Sequence, residues 1–288
     1  MKIETISLQG TTEWNEDALV YHERLHLYGV LDGATSMHPY RGPNKETGGY
    51  LASRLIQSYL ESLEEKDIPE DSLKPLVLQA NALLRRTMLE AGIDVINKAS
   101  LWTSGLALVR VQDSYIDFAQ VGDCMITALY KDGSVRTLSR DQVAHIDFIS
   151  KSILEEGIRQ GITKREQLVE LARPVILGNK AKMNTPDGYS VLSGEPELAD
   201  FIEYGRINRI QLKALLLVTD GLFPQAAPEA KANKTYDAMG DLTLQIADQS
   251  LAGYADKLIL LEREDKDCLR YPRFKVSDDK TGIWIQFE

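Results

Sequence analysis

Between residues 103 and 138 the sequence passes through four short β-type segments with only three residues between them. The segments are 103–111, 115–121, 125–130 and 134–138, separated by Gln112-Asp113-Ser114, Gly122-Asp123-Cys124 and Lys131-Asp132-Gly133. Gaps this short cannot hold the crossover that a parallel pair needs, so antiparallel hairpins are predicted. Asp132-Gly133 is the strongest of the turn signals, because both residues tolerate the conformations of a tight hairpin. This segment excludes all-helical and doubly wound parallel folds.

The rest of the chain fits around that sheet. Residues 3–8 and 26–31 alternate with β-formers on a two-residue period. After a Pro- and Gly-containing loop at 37–47, Leu51, Leu55, Ile56, Tyr59, Leu60 and Leu63 recur at helical spacing, and 73–91 repeats that pattern. Residues 141–174 are polar and helical in pattern, and 177–187 are rich in Gly, Asn and Lys, so 141–187 is predicted to be an exposed insertion. Strand patterns return at 189–192, 201–204 and 214–219, helices at 237–251 and 254–263, and a closing strand at 281–287. The order predicts an α+β fold of antiparallel sheets covered by helices. No Pro/Ser/Gly-rich linker interrupts it, so residues 1–288 are expected to form one domain.

Charge narrows the partners. With 33 Lys+Arg against 43 Asp+Glu the formal net charge is −10, which disfavours nucleic acid and anionic membrane surfaces. Cys124 and Cys268 lack the spacing of a zinc site and are expected to be reduced thiols. The first residues lack a signal-peptide pattern, and no apolar run approaches the roughly 20 residues of a spanning helix. A cytoplasmic location is the expectation, with no membrane partner.

Several acids stand at the ends of strand-like runs, next to Gly or small residues. They occur in Asn15-Glu16-Asp17-Ala18, Asp32-Gly33-Ala34-Thr35, Gly122-Asp123, Asp220-Gly221 and Ser277-Asp278-Asp279-Lys280-Thr281. Taken singly, an Asp-Gly at a strand end is an ordinary turn, as Asp187-Gly188 is read here. If the ends converge, several carboxylates share a small space in which they cannot all stay ionised unaided. Hard divalent cations resolve that conflict, and carboxylate with water ligation suits Mg²⁺ or Mn²⁺. Two such ions can hold a bridging water and aim it at phosphorus.

In its order, this set resembles the metal-dependent protein phosphatases of the protein phosphatase 2C type. The matching pieces are Asn15-Glu16-Asp17-Ala18, Val30-Leu31-Asp32-Gly33, Thr103-Ser104-Gly105-Leu106-Ala107, Gln120-Val121-Gly122-Asp123-Cys124, the run from Leu216 to Leu222, and Asp278-Asp279-Lys280-Thr281. The resemblance implies a four-layer α-β-β-α sandwich, two antiparallel sheets flanked by helices. It implies hydrolysis of phosphoserine or phosphothreonine in a phosphorylated protein substrate by a water bridging two divalent ions. It implies that Asp32 bridges both ions, that Glu16 and the Gly33 carbonyl complete one, and that Asp220 and Asp278 hold the other. Asp17 would orient a water, Asp123 would help hold a third, weaker ion, and the 141–187 insertion would be the family's variable flap.

The sequence departs from the family pattern in three places. Thr12 stands where an Arg often grips phosphate, Ala34 where many relatives carry a candidate acid His, and Asp279 where an Asn is usual. Losing the Arg removes a bidentate clamp. Arg41 and His38, in the loop after Asp32, are the candidates to replace the missing groups. An alternative is a phosphatase-like regulatory module that binds phosphoproteins without turnover. A covalent aspartyl phosphatase of the haloacid dehalogenase kind is excluded, because Val30 stands where its nucleophilic Asp would be.

Overall fold

The computed structural model describes residues 1–34, 36, 38–225 and 237–287. In chain order the elements are β1 (Lys2–Leu8), β2 (Asp17–His22), β3 (Leu27–Ala34), α1 (Gly48–Glu61), α2 (Lys74–Glu90), β4 (Thr103–Val111), β5 (Tyr115–Val121), β6 (Met125–Tyr130) and β7 (Val135–Thr137). They continue with α3 (Ala144–Arg159), α4 (Arg165–Lys180), β8 (Glu203–Asn208), β9 (Leu212–Val218), α5 (Ala238–Gln249), α6 (Leu251–Glu264) and β10 (Lys280–Gln286). The strands form two five-stranded sheets, ordered β1-β10-β9-β6-β7 and β2-β3-β4-β5-β8, and every pairing is antiparallel.

The side-chain pattern explains the layering. In β4, Leu106 and Leu108 point to one face and pack with Ile56 and Leu60 of α1 and Leu84 and Met88 of α2. Ala107 and Val109 point to the other face and pack with Ile126, Leu215, Leu217 and Ile283 of the second sheet. In β9 the alternate residues Leu216 and Val218 pack outward on Leu242 and Ile246 of α5 and Leu258 of α6. Both sheets are therefore apolar on two faces and need a cover on each. The result is the expected sandwich, α1/α2, sheet, sheet, α5/α6. Truncating a core leucine such as Leu108 or Leu217 to alanine would cost about 2–5 kcal/mol.

Three local expectations are corrected. Gly122-Asp123 does not close a hairpin: β5 and β6 lie in different sheets, and the chain crosses between them there. Gly122 makes that turn at φ +79°, a conformation open to glycine and strained for most other residues. The 141–187 insertion is a pair of helices, and α4 runs through Pro174 to Lys180, beyond the break the sequence suggested. The pair has a small core of Leu154, Leu168 and Ala172, against which Leu269 and Phe274 pack. Residues 189–192 make isolated bridges, Met183 with Tyr189 and Ser104 with Leu192, in place of a strand. Among the described residues no helix is long and apolar enough to cross a membrane.

Candidate metal centre

Strand register brings the acids to one end of both sheets. Asp17, the first residue of β2, pairs directly with Asp32 near the end of β3. Asp32 pairs with Gly105 of β4, and the neighbouring Leu106 pairs with Val121, the last residue before Gly122-Asp123. In the other sheet Val218, the last residue before Thr219-Asp220, pairs with both Gly282 of β10 and Met125 of β6. Asp278 and Asp279 immediately precede β10. Five separate strand ends therefore deliver an acid to one edge of the sandwich.

Burial and mutual repulsion set the electrostatics there. Burial raises the Asp32 carboxyl well above the usual range, and the charges of Asp17, Asp220, Asp123 and Asp278 raise it further. Asp17 is raised chiefly by burial, against a hydrogen bond from Thr219, with Asp279 and Asp278 adding repulsion. Asp123 is raised by burial and by Asp220, Asp141 and Asp147. Asp220 is pushed up to about 6 by burial and Asp278, moderated by Lys151, Lys275 and a side-chain hydrogen bond with Asp32. A hydrogen bond between two carboxyl groups requires a shared proton, which is how a crowded acidic site lowers its charge without a cation.

Some of the acids serve the scaffold. Asp279 is buried and accepts from two backbone amides, Gly10 N at 2.7 Å and Glu16 N at 2.8 Å. It is a clamp that fixes the strand start carrying Glu16 and Asp17. Its neighbour Asp278 is different: the Lys275 Nζ at 2.6 Å and the Asp279 amide at 2.9 Å both donate to Oδ1. Among the described residues Oδ2 of Asp278 receives no protein donor, so it is open to a cation. Asp17 is held by Thr219 Oγ1, which donates to Oδ2 at 2.8 Å. The Thr47 hydroxyl donates to Glu16 Oε1 and accepts from the Tyr50 amide at the start of α1, tying the helix to the acid. The Gly33 amide donates to the Glu16 carbonyl at 3.2 Å, and a side chain at Gly33 would collide with that carbonyl and with the Gly49 carbonyl.

Asp123, Asp220 and Asp278 line a cavity of about 660 Å³. Its walls are α3, through Asp147, Phe148 and Lys151, the turn after β9, through Phe223 and Pro224, and the loop before β10, through Phe274 and Lys275. Lys151 and Lys275 did not stand out in the sequence. The first pairs with Asp147 one helical turn away at 2.7 Å, the second with Asp278 at 2.6 Å. Burial lowers both ammonium groups, but the surrounding carboxylates outweigh it and raise them, Asp147 foremost for Lys151 and Asp278 for Lys275. Lys180, at the end of α4, is instead brought down to about 8 by burial, partly countered by Glu16. Arg41 and His38 do not line the cavity: Arg41 donates to the Lys45 carbonyl at 3.4 Å, and the His38 ring lies 3.2 Å from Ser100 Oγ.

Among the described residues no three Asp, Glu, His or Cys side chains are already grouped as ligands of one ion. The donor chemistry nevertheless fits Mg²⁺ or Mn²⁺. Mg²⁺ keeps several waters and needs only one or two carboxylates at a time. The open Asp278 oxygen and the neighbouring Asp32 and Asp220 offer that, and a divalent charge would relieve the repulsion that raises these carboxyls.

The chain is similar to known proteins in family and in fold. Residues 9–256 match the family model described as Protein phosphatase 2C. No curated protein sequence matches the chain significantly. Among solved structures, the serine/threonine phosphatase Stp1 from Staphylococcus aureus is similar over 100% of this chain and 95% of its own, with 16% identity and a TM-score of 0.56. The Mycobacterium tuberculosis serine/threonine phosphatase PstP/Ppp is similar over 100% and 98%, at 18% identity and a TM-score of 0.56. The catalytic domain of the serine threonine protein phosphatase PstP, solved in complex with two manganese ions, covers 99% of this chain and 97% of its own, at 17% identity and a TM-score of 0.56. At these identities the likeness to solved structures is one of fold.

Proposed function

This chain belongs to the protein phosphatase 2C family, and on that premise we propose that it is a metal-dependent phosphatase of phosphoserine and phosphothreonine in proteins. The observation that carries the proposal is the opposed pair Asp17 and Asp32, with Asp220, Asp123 and Asp278 in electrostatic reach of Asp32. Asp32 would touch both ions, Glu16 and the Gly33 carbonyl would serve one, and Asp220 and Asp278 the other. Asp123 would contribute to a third. When bound, two Mg²⁺ or Mn²⁺ ions would supply an activated water and neutralise the phosphate.

The protein's own residues have separable parts in that reading. Asp17, fixed through Oδ2 by Thr219, would orient the attacking water. Asp279 and Thr47 would hold Glu16 in place from its amide and its carboxylate. The α3–α4 pair would form the flap that meets the substrate protein, since its Asp147, Phe148 and Lys151 line the cavity wall.

Thr12 and Ala34, standing where the family often carries a phosphate-gripping Arg and a candidate acid His, favour a second reading, a phosphoprotein-binding module without turnover. One experiment separates the two. The full chain is incubated with a phosphothreonine peptide in Mn²⁺, in Mg²⁺ and in EDTA, beside Asp32→Asn. The enzyme reading expects phosphate release that EDTA and Asp32→Asn both abolish. Peptide binding with no release under either metal would establish the module.

A further inference from the structure

The cavity beside Asp220 carries three basic side chains, Lys151, Arg273 and Lys275, and they are not equivalent. Arg273 is spent. Its Nε donates to the Val276 carbonyl at 3.0 Å, its Nη1 to Asp265 Oδ2 at 2.6 Å and the Tyr271 carbonyl at 2.8 Å, and its Nη2 to the carbonyls of Asp265 at 2.6 Å and Glu262 at 3.3 Å. It is the rivet of the 265–276 loop, with no donor left for a ligand.

The lysines are in the opposite condition. An ammonium has three N–H donors. Among the described residues Lys151 gives one to Asp147 at 2.7 Å and Lys275 gives one to Asp278 at 2.6 Å. Each therefore keeps spare donors beside the cavity, at about one third of full side-chain exposure: 35% for Lys151 and 37% for Lys275. They stand on different walls, Lys151 on α3 and Lys275 in the loop before β10. Both act electrostatically on Asp220. The rest of the lining includes Asp123, Asp141, Asp147, Glu155, Asp220 and Asp278, which would repel an anion. A ligand with several negative oxygens can sit there only where cations compensate.

Resting on the phosphatase reading above, we infer that Lys151 and Lys275 grip the substrate phosphate from two sides of the cavity, the task for which Thr12 provides no cation. Thr12 itself turns its hydroxyl onto the Trp14 carbonyl at 2.8 Å and does not line the cavity. The ion pairs to Asp147 and Asp278 aim the two ammonium groups, and their remaining donors take outward phosphate oxygens. Because Lys151 belongs to the α3–α4 pair, phosphate binding also anchors that pair against the acidic end of the sheets.

The test uses the full chain saturated with Mn²⁺, with Lys151→Met, Lys275→Met and the arginine variants of both. Inhibition by inorganic phosphate, KM and kcat on a phosphothreonine peptide, and calorimetric Mn²⁺ affinity are measured. Each methionine variant is expected to weaken phosphate inhibition and raise KM about tenfold or more, the size of one charge-assisted hydrogen bond. Lys151→Arg and Lys275→Arg should recover much of the loss, which a purely structural role would not predict. Lys151 lies on a helix surface, so Lys151→Met decides the matter even if Lys275→Met fails to fold. Phosphate inhibition and KM equal to wild type in Lys151→Met, with Mn²⁺ still bound, would overturn the inference alone. A wild-type chain that neither hydrolyses the peptide nor binds phosphate would overturn the phosphatase reading beneath it.

Discussion

Asp17 and Asp32 sit directly opposite one another on β2 and β3, so two acids share one rung of an antiparallel ladder. Opposed like charges on a sheet are destabilising. Both carboxyls are raised by burial, and Asp17 further raises Asp32. A sequence selected for stability alone would not place them so. The pair reads as stability given up for a charged centre.

Asp32→Asn is therefore expected to stabilise the metal-free protein while disabling it. Removing one charge of the pair should raise stability by up to about 1 kcal/mol. The same change should abolish the stabilisation that Mn²⁺ gives the wild type. Thermal unfolding of both proteins in EDTA and in Mn²⁺ checks this; a variant that melts lower than wild type in EDTA contradicts it.

The pH dependence of the metal-free protein has a definite sign. Asp220 is pushed up to about 6, and Asp17, Asp32 and Asp123 are raised as well. In the window between the ordinary carboxylate range and these raised values, the folded state binds more protons than the unfolded chain. Stability in EDTA must then fall as pH rises from about 4 through 6 and above. Saturating Mn²⁺ should remove or reverse that fall, because the ion favours the ionised carboxylates. Melting curves across the window, with and without Mn²⁺, measure it.

Asp279→Ala tests the clamp. It leaves the buried Glu16 amide and the half-buried Gly10 amide without their shared acceptor. The expected loss is about 2–4 kcal/mol, one orphaned donor at each amide. The loss should appear in both EDTA and Mn²⁺, unlike that of any metal-binding acid. Denaturant titration in the two conditions distinguishes them.

Gly33→Ala should be poorly tolerated. Its Cβ would run into the backbone carbonyls of Glu16 and Gly49, neither of which can yield like a flexible side chain. A cost of about 2 kcal/mol or more is expected, with weaker Mn²⁺ binding. A variant as stable as wild type would show that this approach is looser than described.

The sequence made the acids legible for a physical reason. Strand ends with a neighbouring Gly or small residue mark where side chains emerge on rigid mounts, and Asp17, Asp32 and Asp220 all bear that mark. Sheet membership was not legible. Val121 and Met125 flank Gly122-Asp123 as though in a hairpin, yet both sheets are apolar on two faces, so alternation cannot tell which sheet a strand joins. The family pattern told the adjacent acids Asp278 and Asp279 apart, but the clamp that Asp279 makes on the Gly10 and Glu16 amides joins segments far apart in the chain and appears only in the fold. Lys151 and Lys275 escaped notice because their relation to Asp220 exists only once distant segments have packed.

The most direct measurement is a calorimetric Mn²⁺ titration of the full chain at neutral pH, beside Asp32→Asn. The account predicts uptake of about two ions per wild-type chain and loss of that uptake in the variant. Equal uptake by both proteins, or none by the wild type, would contradict a shared metal centre built on Asp32.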